Sequence, residues 1–327
     1  MADSDSVRLA KRGRLKGYAL ALLAATCWAT GGLMAKWLFS DASAASSSWP
    51  VPPLGIHIEP TVLAAGRACS AFVLLLFMMA VSRRRELVVG RRDLPFFALF
   101  GVAGLAMVHF TYFKTISLTN VATAILLEYL APVIVLVVGV AFMKHAFTWA
   151  LPAGVALSVA GCALVVGALG GGGIVVSPQG IVWGLLSAVF FAAYSLMGTY
   201  AATRYTPYTT LVWGLGFASV FWLVVLGPAR ILGVFADPKT AGAVLFMAVV
   251  STVVPFGAFL TALKYIAPTN ATVTSTVEPF LAGIGAFALF GESFSLTQLV
   301  GGILVVSAIV VVSLSDSAIA PALPPQD

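Results

Sequence analysis

Residues 22–34 read LLAATCWATGGLM, and residues 185–197 read LLSAVFFAAYSLM. A shift of 163 residues lays one on the other. Leu22-Leu23 falls on Leu185-Leu186, Ala25 on Ala188, Ala29 on Ala192 and Leu33-Met34 on Leu196-Met197, while Trp28 meets Phe191. A second shift, of 147 residues, brings Pro132 onto Pro279, Gly154 onto Gly301 and Leu157 onto Leu304. Self-similarity over a long period decides architecture before any single residue does. The nature of the repeated unit follows from the solvent that each stretch expects.

That solvent is lipid. Of 327 residues, 60% are hydrophobic and 9% are charged. An ordinary soluble domain carries roughly a quarter of its residues as charges. Eighteen Lys and Arg with twelve Asp and Glu cannot clothe a soluble protein of this length, and the mean hydropathy is +1.03. The composition excludes a disordered chain, a collagen-like fibre, a disulfide scaffold and a typical soluble enzyme. Cys27, Cys69 and Cys162 lie singly in apolar runs, with no metal-ligand or disulfide spacing. The net charge of +6 does not point to nucleic acid, because the basic residues flank apolar segments as orientation signals do.

A helix needs about 20 mostly apolar residues to cross the hydrocarbon. Ten segments qualify: 17–39, 60–82, 94–117, 121–143, 148–168, 180–202, 207–226, 240–265, 269–291 and 297–315. Short connections force antiparallel neighbours, and none of these segments shows the alternating pattern of a membrane β-strand. The apolar run from Gly17 to Phe39 exceeds the core of a signal peptide, although Ala42-Ser43-Ala44 imitates a cleavage site. The expected fold is therefore all-α, with ten transmembrane helices in two five-helix repeats. An odd number of spans per repeat inverts the second copy in the membrane, an architecture common among secondary transporters. The expected divisions are a basic N-terminal tail over 1–16, repeats over 17–168 and 180–315, a Gly-rich linker over 169–179 and a tail over 316–327.

At this point the chain resembles the EamA branch of the drug/metabolite transporter superfamily. The matching stretches are Leu22–Lys36, Tyr112–Phe142 with Glu128-Tyr129-Leu130-Ala131-Pro132, and Phe256–Leu296 with Ala262-Leu263-Lys264-Tyr265, Glu278-Pro279 and Gly291-Glu292. The resemblance covers nearly all of residues 17–315. It implies a ten-helix transporter of small metabolites, often amino acids and often outward. One departure is Lys144-His145, where the family's first half commonly carries a Gly-Glu like Gly291-Glu292.

Ionisable groups inside membrane spans are costly and are functional candidates by default. Glu128 sits roughly 10 Å into span four from the outside, and Glu278 roughly 13 Å into span nine from the inside. The two bracket the midplane. Asn120, Ala124 and Glu128 share one helical face, as do Asn270, Thr274 and Glu278. Each stripe ends beside a proline, which frees a backbone carbonyl. The functional reading is a cavity wall for an ammonium group or a proton; the alternative is a structural carboxylate bonded to a neighbouring helix, or paired with Arg67 or Lys114. His109 suits a proton relay or a neutral bond between helices, with Tyr112 one turn along the same face. Lys114 could meet a substrate carboxylate or snorkel to the interface. Trp28, Phe191, Tyr129 and Tyr194 could flank an apolar or aromatic substrate, or simply pack.

Nothing in the sequence implies a metal, a cofactor or a catalytic residue: GxxxxGK[ST], HExxH and GxSxG are missing. The expected activity is secondary transport, most simply amino-acid or metabolite export by alternating access, with proton coupling through Glu128, Glu278 or His109. Import, or transport of drugs, vitamins or nucleobases, fits the same fold; a membrane-embedded enzyme and a passive channel are remote alternatives. The expected partners are a small-molecule substrate and membrane lipid, with no nucleic acid. Spans five and ten are candidates for a homodimer interface. The expected location is the inner (plasma) membrane. Thirteen Lys and Arg flank one face against four on the other, with Arg67 inside span two, so both termini are expected in the cytoplasm. Reporter fusions that fluoresce only in the cytoplasm should be bright at both ends of the chain; a dark fusion at either end overturns that orientation.

Overall fold

The computed structural model describes residues 2–39, 55–56, 58–119, 121–143, 147–168, 177–291 and 295–318. Among the described residues the chain is all-helical and shows no strand. Ten apolar helices follow one another: α1 (Ala2–Phe39), α2 (Pro60–Ser82), α3 (Arg91–Leu118), α4 (Val121–Phe142), α5 (Ala150–Val165), α6 (Pro178–Ala202), α7 (Pro207–Leu226), α8 (Pro238–Ala262), α9 (Pro268–Phe290) and α10 (Leu296–Ala318). A short helix, Pro228–Gly233, joins α7 to α8. Nine of the ten are long and apolar enough to cross a membrane; α5, at 16 residues, is the exception. The span expected over 148–168 is thus a shorter helix, because Val166, Gly167 and Ala168 turn away after Val165, with Gly167 at φ 77°. The helix of α1 begins at Ala2, well inside the basic stretch read as a tail, because Leu, Ala, Lys and Arg are all good helix formers. The Gly170–Gly173 loop, the Ala42-Ser43-Ala44 site, Lys144-His145 and Glu292 lie outside the described residues.

Six helices start with Pro in the first turn: α2, α6, α7, α8, α9 and the short connector. Proline suits that place, where its missing N–H would be unpaired in any case. Ser177, Thr206 and Asp237 cap α6, α7 and α8 by accepting from Gly180, Thr209 and Thr240. Asp237 accepts from Thr240 twice, from its hydroxyl at 2.6 Å and its backbone N–H at 2.9 Å, and both bonds hold the carboxyl below the usual carboxylate range.

Helix pairs related by the sequence repeat pack on one another and run antiparallel. Thr206, at the start of α7, donates to the Glu86 carboxylate just beyond the end of α2, at 2.8 Å. Arg230, beyond the end of α7, pairs with Glu59, just before the start of α2. Along α5 and α10 the order also reverses. Gly161 approaches Gly301 and Val305, while Gly154 approaches Ala308 and Val312. A Cβ on either Gly161 or Gly301 would stand 2.7 Å from the other's carbonyl oxygen, so only glycine lets these backbones meet. Other contacts also cross between the halves: α1 packs on α8 and α9, and α6 packs on α3 and α4.

Helix interruptions are paired too. A π-helical turn occupies Phe100–Ala106 in α3 and another Val249–Val253 in α8, at positions that match under the 147-residue shift. In α8 the cause is Pro255, which has no N–H to offer the carbonyl one turn back. The α-helical winding of α4 stops at Glu128 and resumes at Ala131; that of α9 stops at Ser275 and resumes at Glu278. Pro132 and Pro279, themselves repeat partners, deprive the carbonyls of Glu128 and Ser275 of their ordinary donors. Leu130 and Val277 instead donate three residues back, to Leu127 at 3.2 Å and Thr274 at 3.4 Å, which tightens the chain locally.

Gly161→Leu is expected to destabilise the bundle by about 1–3 kcal/mol through overpacking. Gly32→Ala, where a Cβ meets nothing within 4 Å, should be neutral or slightly stabilising. Thermal unfolding in detergent checks both. Asp237→Ala should lower the melting temperature at neutral pH. A carboxyl whose folded pKa is depressed stabilises only above its unfolded value, so that difference should shrink as pH falls through the folded pKa.

Candidate functional site

The two interrupted helices meet at their breaks. Tyr129, in the turn that breaks α4, donates its hydroxyl to Glu278 Oε2 at 2.6 Å across to α9. Glu128, one residue earlier, accepts from the Ser187 hydroxyl of α6. Each carboxylate is therefore met by a hydroxyl from another helix, and among the described residues neither forms an ion pair. Both lie deep within the bundle yet keep some accessible surface, as do Trp28, His109 and Tyr112. Partly accessible polar groups at that depth are read as the lining of a central chamber.

Arg67 and His109 form a second polar pair. Arg67 Nη2 lies 3.0 Å from His109 Nε2, and His109 Nδ1 lies 2.8 Å from the Leu105 carbonyl of its own helix. A carbonyl can only accept and a guanidinium can only donate. The imidazole is therefore the neutral tautomer with its proton on Nδ1, and both nitrogens are engaged. Arg67 is 8% exposed, and its Nε has no partner among the described residues. Tyr112 lies within electrostatic reach of Arg67, Glu128 and Glu278.

Aromatic rings close the space between them. Trp28 packs edge-on to Phe191, with centroids 6.1 Å apart, and to Phe256 at 5.4 Å. Tyr194 meets Phe256 at 5.3 Å, and its hydroxyl donates to the Phe256 carbonyl at 3.2 Å. His109 lies 5.5 Å from Phe256, and Tyr129 lies 6.4 Å from Phe191. These rings, the two carboxylates and the guanidinium together make up the candidate chamber.

Among residues expected from sequence, the structure gathers Trp28, His109, Tyr112, Glu128, Tyr129, Phe191, Tyr194 and Glu278 around this chamber. It does not bring Asn270 or Thr274 there. Asn270 is fully buried, donates to Tyr18 of α1 at 2.9 Å and has an unpartnered Oδ1. Thr274 donates to the Asn270 carbonyl on its own helix at 2.7 Å. Lys114 is exposed towards the end of α3, away from the carboxylates, and Asn120 lies outside the described residues. Sequence reasoning missed Ser187, Phe256 and Phe259. A signal existed for each: Phe256 and Phe259 are the 147-shift partners of His109 and Tyr112, and Ser187 stands one turn before Phe191.

Comparison with known proteins decides the family. A model of the EamA-like transporter family matches residues 15–167 and then residues 178–314. The chain belongs to this family. Two curated relatives of this EamA chain are uncharacterised transporters. One, from Archaeoglobus fulgidus, is 29% identical over 64% of this chain and 74% of its own length. The other, the inner membrane transporter YicL of Salmonella typhimurium, is 24% identical over 91% and 95%. A third, from Streptantibioticus cattleyicolor, is named a probable terminal-alkyne amino-acid exporter and is 26% identical over 68% and 74%. A solved crystal structure shares the fold with a TM-score of 0.72 over 91% of this chain and 96% of its own, at 19% identity. The EamA chain is thus a multi-pass membrane transporter of the drug/metabolite type.

Removing one hydroxyl from the chamber should test its coherence. Tyr129→Phe and Ser187→Ala each strip a carboxylate of its donor, a loss of about 1.5–3 kcal/mol for a bond to a charged group. Exchange of the transported solute should fall about tenfold or more, since about 1.4 kcal/mol is a factor of ten. Melting temperatures should fall as well, because the same substitution removes a buried hydrogen bond from the folded protein.

Proposed function

We propose that this EamA chain is a secondary transporter that exports amino acids or related small metabolites by alternating access, with protons as the coupling ion. One observation carries the reading: the Tyr129–Glu278 bond joins two proline-interrupted helices at a chamber whose two carboxylates have no ion-pair partner among the described residues. A carboxylate bonded only to hydroxyls can take a proton or an ammonium group without first breaking a salt bridge, and the hydroxyl can donate or accept as required. Irregular backbone at membrane depth is tolerated where it lines a cavity, and transporters place their sites there. The relative named as an amino-acid exporter supports the substrate class and the direction.

Inverted repeats over 17–168 and 180–315, joined by the segment 169–179, are part of the proposal. Two family-model matches and the antiparallel pairing of α2 with α7 and of α5 with α10 support them. The halves would rock about the chamber, in the inner membrane with both termini cytoplasmic. A homodimer would use the outer face of α10, where Leu299, Ile303, Val306 and Val310 are exposed.

Counterflow into proteoliposomes tests the reading. Vesicles loaded with unlabelled amino acids should accumulate a labelled one, and accumulation should depend on pH. Glu278→Gln and Glu128→Gln should each reduce the pH dependence. Accumulation at the unaltered rate in both variants, under every pH gradient, would remove the coupling role. No accumulation of any amino acid by folded, inserted protein would overturn the substrate class in favour of drugs, vitamins or nucleobases.

A further inference from the structure

The chamber holds its opposite charges apart. Arg67 is nine-tenths buried on α2, and its guanidinium hydrogen-bonds to a neutral imidazole. Its Nε is buried with nothing among the described residues to donate to. A buried cation without an anion is among the costliest arrangements a bundle in lipid can hold. Two carboxylates are available, and the fold keeps both from Arg67: Tyr129 holds Glu278 and Ser187 holds Glu128. Tyr112 stands within electrostatic reach of all three groups. A guanidinium and two carboxylates kept incomplete around the same tyrosine make a receptor for a molecule that carries both charges.

We infer that Arg67 receives the carboxylate of a zwitterionic substrate while Glu278 and Glu128 face its ammonium group. The inference rests on the amino-acid reading above and deepens it by assigning each end of the substrate. A guanidinium suits this task because its planar fork matches a carboxylate with two parallel bonds. His109 is a positioning residue. Its Nδ1 proton is engaged by the Leu105 carbonyl, so its Nε2 lone pair takes one Arg67 donor and aims the rest of the fork. Both charges of an amino acid sit on one carbon, which leaves its side chain to pack on rings such as Trp28 and Phe256, so an apolar or aromatic side chain fits best. The arrangement selects against amines without a carboxylate and against acids without an amine, since either leaves one buried charge unmet.

Ligand-induced thermal stabilisation of the purified full chain in detergent tests this without assuming a transport direction. The probes are phenylalanine, phenethylamine and phenylpropionate, which carry both charges, the ammonium alone and the carboxylate alone. Phenylalanine should bind the unaltered protein most tightly. Arg67→Gln should weaken phenylalanine binding by roughly thirtyfold or more, the effect of truncating one side of a buried charge pair, and leave phenethylamine binding unchanged. Glu278→Gln should show the mirror pattern, sparing phenylpropionate. Equal weakening of phenylalanine and phenethylamine by Arg67→Gln would mean that Arg67 only supports the fold, and would overturn the inference. Should Arg67→Gln fail to fold, Arg67→Lys keeps the charge and loses the fork. Weakening confined to phenylalanine in that variant upholds the inference, and equal or no weakening of the two ligands overturns it. Failure of folded, unaltered protein to bind phenylalanine, leucine or tryptophan overturns the inference outright. Binding of phenylalanine through Arg67 with no exchange across proteoliposomes would uphold the recognition chemistry and sink the transport reading; exchange with discrimination intact in Arg67→Gln would do the reverse.

Discussion

In hydrocarbon a backbone N–H or C=O has no water to turn to, and an unpaired one costs several kcal/mol. That constraint accounts for most of this structure. It makes every apolar segment a helix, and it decides where a helix is allowed to break. At the proline breaks of α4 and α9 the chain pairs its backbone locally instead, as Leu130 does with Leu127 and Val277 with Thr274, and the π-turns of α3 and α8 keep their winding closed in the same way. They come in repeat-related pairs and surround one chamber. Elsewhere the winding of α2, α6 and α7 is continuous, and their exposed faces carry Val73, Phe77, Val182, Leu185 and Val224.

Close approach of helices follows from the same setting. Lipid tails are as apolar as leucine, so helices gain little by hiding apolar surface from them and gain more by tight packing. Glycines on α6 allow this: Gly180 sits against Thr119 and Gly184 against Leu127. Gly161 and Gly301 do it reciprocally between α5 and α10. The α6 packing fixes that helix against α3 and α4, and so sets Ser187 opposite Glu128. A site hydrogen bond between α6 and α4 thus depends on glycines one or two turns away from it.

Polarity in the chamber is arranged by neutral partners. Hydroxyls hold the carboxylates and an imidazole holds the guanidinium. Direct pairing of Arg67 with either Glu would satisfy both charges permanently and leave nothing for a solute to compensate. Keeping them apart stores an unmet electrostatic demand. Such a demand is tolerable only where a ligand or water can answer it in turn.

The sequence by itself determined the membrane class and the all-helical fold, because hydrophobicity and span length act locally along the chain. It also located Glu128, Glu278, Trp28 and Phe191, because charge in a span and repeat equivalence are visible without coordinates. Tertiary structure decided which residues meet. Asn270 and Thr274 share a face with Glu278 in an unbroken helix, but the break over Thr276 and Val277 changes the register between them, and Asn270 turns to Tyr18. Ser187 reads as one small residue among many until α6 lies against α4. Arg67 reads as a candidate partner of a carboxylate until α2 brings it to His109. These contacts join residues 42 to 252 positions apart, and no local pattern encodes a partner at that distance. Helical periodicity tells which way a side chain faces along its own axis; only the packing of helices tells what it faces.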